Sequence, residues 1–173
     1  MAVRRPTLGT LVNWSTLVVV LILTSPVGCG FHLRGAVEIP PELNPLYIQA
    51  APGSAVRRAI EDQLTGSAVI LAPDPGPAKL ILRVLSEDRF SRVAAVDSSG
   101  KVLAYELHYL VRFDVVGKDG KERVPAQTLD LVRTFDNPDV EVLGKQLEEE
   151  LIFQDFATDA ADRILMRLRA VLA

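Results

Sequence analysis

The sequence predicts an α+β fold in which helices pack on a mostly antiparallel sheet. Three observations carry this. A short apolar run followed by a capped helical pattern opens the folded part. Three long segments with period-two alternation follow, joined by glycine-ended turns, and read as an antiparallel meander. The final third is one long amphipathic pattern with apolar spacings of three and four. That makes two helices on four strands, or five if a short run at residues 68–71 joins the sheet. A chain of 173 residues, less a leader, fits a single domain with a sizeable core.

Residues 1–28 are of another kind. A basic head with Arg4 and Arg5 leads into Leu17-Val18-Val19-Val20-Leu21-Ile22-Leu23 and then Thr24-Ser25-Pro26-Val27-Gly28, the order of a secretory signal. A spanning helix needs roughly 20 apolar residues, and Ser25 and Pro26 interrupt this block early. Directly behind it stands Cys29, the only cysteine. In an exported chain a lone cysteine is free, paired with another chain, or consumed by modification, and its position at the end of the signal favours modification. The arrangement resembles a bacterial lipoprotein signal, in which the cysteine becomes the first mature residue and carries acyl groups. Pro26 stands where such signals usually have Leu or another aliphatic residue, and a plain secreted protein with a buried free Cys29 is the alternative. Gly30, where Asp is absent, resembles the pattern sent onward to the outer membrane. More than one acyl chain gives stable anchoring.

Without the leader the chain has 17 basic against 22 acidic residues, a formal charge of −5. That balance argues against nucleic acid as the main partner and leaves room for a local basic site.

Residues 29–45 read as the lipidated end and an extended tether, because Pro40, Pro41 and Pro45 support neither a helix nor a central strand. The domain then occupies 46–173. Leu46 to Ala50 is a short strand, ended by Pro52-Gly53. Ser54 caps a helix over Ala55 to Leu64, with Val56, Ala59, Ile60 and Leu64 at helical spacing and Gly66 just beyond. Ala68-Val69-Ile70-Leu71 is a short apolar strand, closed by Pro73-Asp74-Pro75-Gly76-Pro77.

From Lys79 the strands lengthen. Leu80, Leu82 and Val84 share one face while Ile81 and Leu85 lie opposite, so the strand's beginning is expected to be covered on both sides. After Ser86 it turns polar and leaves the core. Asp97-Ser98-Ser99-Gly100 has the Asp and Gly placement of a type I turn. Beyond it Leu103, Tyr105, Leu107, Tyr109, Val111, Phe113 and Val115 form the expected core face of the next strand. Gly117-Lys118-Asp119-Gly120 turns the chain into a strand over Gln127 to Phe135. Asn137-Pro138 reads as a helix start. The helix runs to about Leu172, with Leu147, Leu151, Ile152, Phe156, Ala160, Ile164, Leu168 and Val171 on its apolar stripe. At about 1.5 Å per residue it spans nearly 50 Å and lies across the sheet.

The chemistry of a catalyst is missing from the pattern. His32 and His108 are the only histidines, too few for a metal site, and no H-E-x-x-H, G-x-S-x-G or phosphate-cradling glycine loop occurs. His108, beside Glu106 on the polar face of a strand, reads as a hydrogen-bonded surface residue. Asp136 and Asp139 sit where a helix start ordinarily has acids. A non-enzymatic role without cofactor or metal is expected. The informative feature is the hairpin around Asp97–Gly100, with Arg89 and Arg92 before the tip and Lys101 after it. Arginine meets phosphate or carboxylate with paired donors and lysine with a point charge. With Phe90 and Val93 between the cations, the hairpin suits an amphipathic anionic lipid, and a solvated basic hairpin without ligand is the alternative.

Three motifs together are similar to one family. Cys29-Gly30-Phe31-His32-Leu33-Arg34, Ala104-Tyr105-Glu106-Leu107 and Arg133-Thr134-Phe135-Asp136-Asn137-Pro138 occur in the order and spacing of the lipopolysaccharide-assembly lipoproteins of the LptE family, and the resemblance covers essentially the whole mature chain. It implies an α/β sandwich with two helices on a mostly antiparallel sheet. It also implies a lipoprotein on the periplasmic side of the outer membrane, plugging and helping to assemble the LptD β-barrel and binding lipopolysaccharide on its way to the outer leaflet. The hairpin tip, Asp97, Ser98, Ser99 and Gly100, is then the part that reaches into the barrel. Where the family carries a basic turn residue this chain has Ser98 and Ser99, leaving Arg92 and Lys101 as the nearest cations, and Lys145 matches a second basic position near the start of the long helix. The rival reading is a lipid-anchored periplasmic adaptor that binds another envelope protein through a sheet edge.

Overall fold

A computed structural model describes residues 40–136 and 142–172. The signal segment, Cys29, the tether up to residue 39 and the expected helix start at Asn137-Pro138 lie outside the described residues. Four strands and two helices follow in order: β1 (Leu46–Gln49), α1 (Ala55–Leu64), β2 (Leu80–Val96), β3 (Val102–Gly117), β4 (Glu122–Asp136) and α2 (Val142–Leu172). The sheet order is β1-β2-β3-β4. β1 runs parallel to β2, as a β-α-β connection requires, and the other two pairs are antiparallel.

Both helices lie on one face. Val56, Ile60 and Leu64 of α1 and Ile152, Phe156, Ala160, Ile164 and Leu168 of α2 share a core with Leu46, Leu80, Leu82, Leu107, Val111, Phe113 and Val115. Each fully buried aliphatic or aromatic side chain there contributes roughly 1.5–3 kcal/mol. Ser54 caps α1 as expected, its hydroxyl accepting from the Arg57 amide at 3.0 Å. Both turns close through glycines with positive φ, Gly100 at 85° and Gly120 at 73°, a conformation that carries no steric penalty only for glycine.

The structure corrects several expectations. Leu85 is 46% exposed and is not covered. The pairing shifts between Val84 and Ser86, so Leu85 is an extra residue that bulges from the ladder, and after it the odd-numbered residues of β2 face the helices. The run at 68–71 makes only an isolated bridge between Leu46 and Leu71, so the sheet has four strands. Part of the tether, Pro41–Leu43, forms one 3-10 turn, because proline is accepted at the first positions of such a turn. β4 begins at Glu122 and includes Pro125, which an outer strand tolerates. Leu103 and Val171 are exposed near the ends of β3 and α2, and Leu147 and Leu151 are exposed because they lie on the outer face of α2, whose inner face packs through Lys145, Ile152, Phe153 and Phe156. His108 is hydrogen-bonded but only 6% exposed. Phe90 stacks on it at 4.8 Å from the neighbouring strand and displaces the water that a surface histidine would keep.

Candidate functional site

β1 pairs only with Leu80–Arg83, so the β2–β3 hairpin continues far past it. Its tip is held by Asp97. The Asp97 carboxylate accepts from the Ser99 amide at 2.8 Å, the Ser99 hydroxyl at 2.7 Å and the Lys101 amide at 3.0 Å. Those donors, the Ser99 hydroxyl foremost, hold its pKa below the ordinary carboxylate value. Ser98 and Ser99 thus stand in a turn whose hydrogen bonding one aspartate organises.

The four candidate cations are not brought into one cluster. Arg89 and Arg92 are three residues apart on an alternating strand, so they project from opposite faces. On the helix side, the Arg89 guanidinium lies 5.5 Å from the Phe153 ring centroid and donates to Glu150 of α2 at 2.9 Å. On the uncovered side, Arg92 donates to Glu106 at 2.6 Å, and that carboxylate is held below its ordinary pKa first by Arg92 and then by His108. Lys145 sits over Tyr105 at 4.3 Å and reaches towards Phe135 at 6.0 Å, so the start of α2 is tied to β3 and β4. Lys101 belongs to the tip.

Two features were missed in the sequence. The first is Glu87, which the Leu85 bulge turns towards the helices. It accepts from the Ser54 hydroxyl at 2.5 Å, the Ala55 amide at 3.0 Å and the Tyr109 hydroxyl at 2.5 Å, so a strand carboxylate caps α1. Burial and the Glu87 carboxylate raise the Tyr109 pKa. An acidic residue just past the apolar part of a strand was the available signal. The second is an open lane beside β2 on the helix side, holding a cleft of about 630 Å³ and a smaller one of about 360 Å³, both bounded by Arg89, Glu150 and Phe153. No sequence pattern announces a gap between elements.

On the other face, cross-strand rows can be read from the register. Phe90, His108 and Val132 form one row and Arg92, Glu106 and Thr134 the next. The His108 ring nitrogens lie 3.2 Å from Asp130 Oδ1 and 3.3 Å from Glu106 Oε2. Arg83 and Asp114 make a two-pronged ion pair nearer the core, at 2.7 and 2.6 Å, which raises the Arg83 pKa. Among the described residues no group of three or more His, Cys, Asp or Glu side chains could hold a metal ion, and no helix is long and apolar enough to cross a membrane.

Comparison with known proteins adds a family pattern to this geometry. A family model described as LptE, lipopolysaccharide-assembly, matches residues 43–168. The chain is 31% identical over 157 residues to the LPS-assembly lipoprotein LptE of Photorhabdus laumondii, covering 90% of this chain and 85% of that one. It is 28% identical over 158 residues to the protein of the same name from Pectobacterium atrosepticum, covering 90% and 85%. Among solved structures, the uncharacterized lipoprotein B of Nitrosomonas europaea superposes with a TM-score of 0.68 at 27% identity, over 82% of this chain and 91% of that one. The rare lipoprotein B of Shewanella oneidensis shares the fold, with a TM-score of 0.64 at 24% identity, over 73% and 95%.

Proposed function

The chain belongs to the LptE lipopolysaccharide-assembly family, and from that premise we propose that it is an outer-membrane lipoprotein, anchored through acyl groups on Cys29, that plugs and helps assemble the LptD β-barrel and binds lipopolysaccharide in transit. The observation that carries this reading is the braced hairpin. β2 and β3 project well beyond β1, and α2 fixes their helix side through the packing of Phe153 and Phe156 on Tyr109 and through Lys145–Tyr105. A rigid cationic projection on an otherwise acidic domain is what a plug needs to present a charge inside a lumen. The uncovered sheet face supports the same reading, because the row Arg92, Glu106 and Thr134 suits the polar interior of a barrel, while the neighbouring exposed Phe90 and Val132 add apolar contact.

The reaction is binding without turnover. Arg89 and Arg92 face opposite ways, so they do not close on one phosphate and instead meet separate anionic groups of a large amphiphile. Each first exchanges a glutamate for the ligand. That exchange is inexpensive for Arg89–Glu150, an exposed pair of the kind worth about 1 kcal/mol or less, and costs more for Arg92–Glu106, whose carboxylate is only 28% exposed and is shared with His108. Lys101 and Lys145 add charge at the tip and at the start of α2.

Purification of the chain from outer membranes, with mass identification of its companions, tests the proposal. A stoichiometric large β-barrel is expected, together with an N-terminal peptide carrying acylated Cys29. A chain recovered without a barrel overturns the plug reading and leaves the adaptor.

A further inference from the structure

The lane beside β2 has the shape of a missing strand. β1 stops pairing at Arg83, and among the described residues no strand takes its place along the remainder of β2. Between the irregularities that follow Val84 and Val93, β2 keeps eight residues, Ser86–Val93, in unbroken register with β3. Alternate residues of such a strand turn backbone N–H and C=O groups to the open side, and their natural complement is another extended backbone.

β4, the opposite outer strand, is less suited. Pro125 removes one donor, and α2 covers its helix side at Leu131 and Phe135. On β2 the corresponding positions Arg89, Ser91 and Val93 remain exposed. The two clefts open there in succession along the strand, the larger at Glu87–Arg89 and the smaller at Arg89–Ser91, with the Arg89–Glu150 ion pair between them. Side chains on one face of a strand recur about every 6.6–6.8 Å, so a strand added to β2 would drop two consecutive same-face side chains on either side of that ion pair. In the larger cleft Arg58 and Asp62, neither of which has an ion partner among the described residues, offset one another, whereas in the smaller cleft Arg89 is taken by Glu150 and Glu149 has no ion partner among the described residues.

We infer that the Ser86–Val93 edge of β2 is a docking lane for an extended segment of a protein partner, with a cationic side chain entering the smaller cleft beside Glu149. This goes beyond the anchoring and lipid roles above and rests on the reading only in requiring a protein partner. Backbone pairing supplies the affinity of such a site and the clefts supply its selectivity.

Hydrogen exchange on the full chain, alone and in the complex recovered with it from outer membranes, tests this. Amides within Ser86–Val93 should exchange at least about ten-fold more slowly in the complex, with no comparable change within Gln127–Asp136, as strand addition predicts. The charge reversal Glu149→Lys should weaken the complex about ten-fold while leaving the isolated domain folded, as judged by circular dichroism. If a complex forms and the β2 amides exchange as before, or protection falls on β4 alone, the docking lane is wrong and the barrel reading stands. If the chain is recovered with no protein partner, both are wrong.

Discussion

Glu87 and Tyr109 are joined by a hydrogen bond of 2.5 Å across the diagonal of the β2–β3 pair, since the register sets Glu87 opposite Val111 and Tyr109 opposite Arg89. The same carboxylate holds the first turn of α1 through Ser54 and Ala55. One side chain therefore links the root of the hairpin to both the strand beside it and the helix above it. Without the Leu85 bulge, simple alternation along β2 would have turned Glu87 away from the helices.

Replacing Glu87 by Ala removes one acceptor and strands three donors, the Tyr109 hydroxyl being the most buried. A loss of about 2–3 kcal/mol in a urea unfolding midpoint experiment is expected, from the range for hydrogen bonds to a charged group. Tyr109→Phe should lose only about 1 kcal/mol, because Glu87 keeps its bonds to Ser54 and Ala55. The double variant should be less destabilised than the sum, since the two share an interaction. Strict additivity would show that the bond contributes nothing to stability.

The same pair gives a pH prediction. Burial and Glu87 raise the Tyr109 pKa above its ordinary value. The neutral phenol is the form that donates, so its contribution is fully present below the ordinary tyrosine pKa of about 10 and is lost as pH rises through the folded-state value. In a spectrophotometric alkaline titration of the folded chain, Tyr109→Phe should leave the absorbance rise near pH 10 unchanged. A rise reduced by one tyrosine's share would place Tyr109 in the ordinary range.

Much of the architecture was legible because local rules agreed with one another: the Ser54 cap, the two glycine-ended turns and the odd-numbered face of β3 from Leu107 to Val115 each matched the fold. What escaped had nonlocal causes. A period-two count cannot register one extra residue, so it places Leu85 on a covered face where the bulge leaves it exposed. Spacings of three and four can be threaded through more than one face of a helix, and the face that carries Leu147 and Leu151 is the outer one, while Ile152, Phe153 and Phe156 turn inward. His108 is buried by Phe90 of another strand. The site divides in the same way: Arg89 and Arg92 were legible as cations near a tip, and their opposite faces followed from their spacing, but their glutamate partners come from α2 and β3.

The Leu85 bulge can be checked by comparison with its neighbour. Leu85→Ser replaces an exposed side chain and should change stability by no more than about 0.5 kcal/mol. Leu82→Ala opens a cavity at a fully buried position and should cost about 2–5 kcal/mol. Equal effects in thermal or urea unfolding would restore the two-sided covering of β2 and remove the bulge.

The hairpin cations carry the most direct functional prediction. Replacing Arg89, Arg92 and Lys101 together by Ser removes the charge around the tip. Arg89–Glu150 is an exposed pair and Glu106 keeps His108 as a partner when Arg92 is lost, so the unfolding free energy should fall by about 1–2 kcal/mol in all, and the barrel complex should still be recovered. Lipopolysaccharide binding, measured on the purified lipidated chain in detergent, should fall at least about ten-fold, since one charge-assisted contact to a phosphate is worth about 1.5–3 kcal/mol. Because Arg89 and Arg92 point to opposite faces, each single variant should lose part of the binding and neither all of it. Complete loss from one substitution would mean a single-faced site. Undiminished binding in the triple variant would remove lipid contact from the hairpin and leave it a purely structural brace within the barrel.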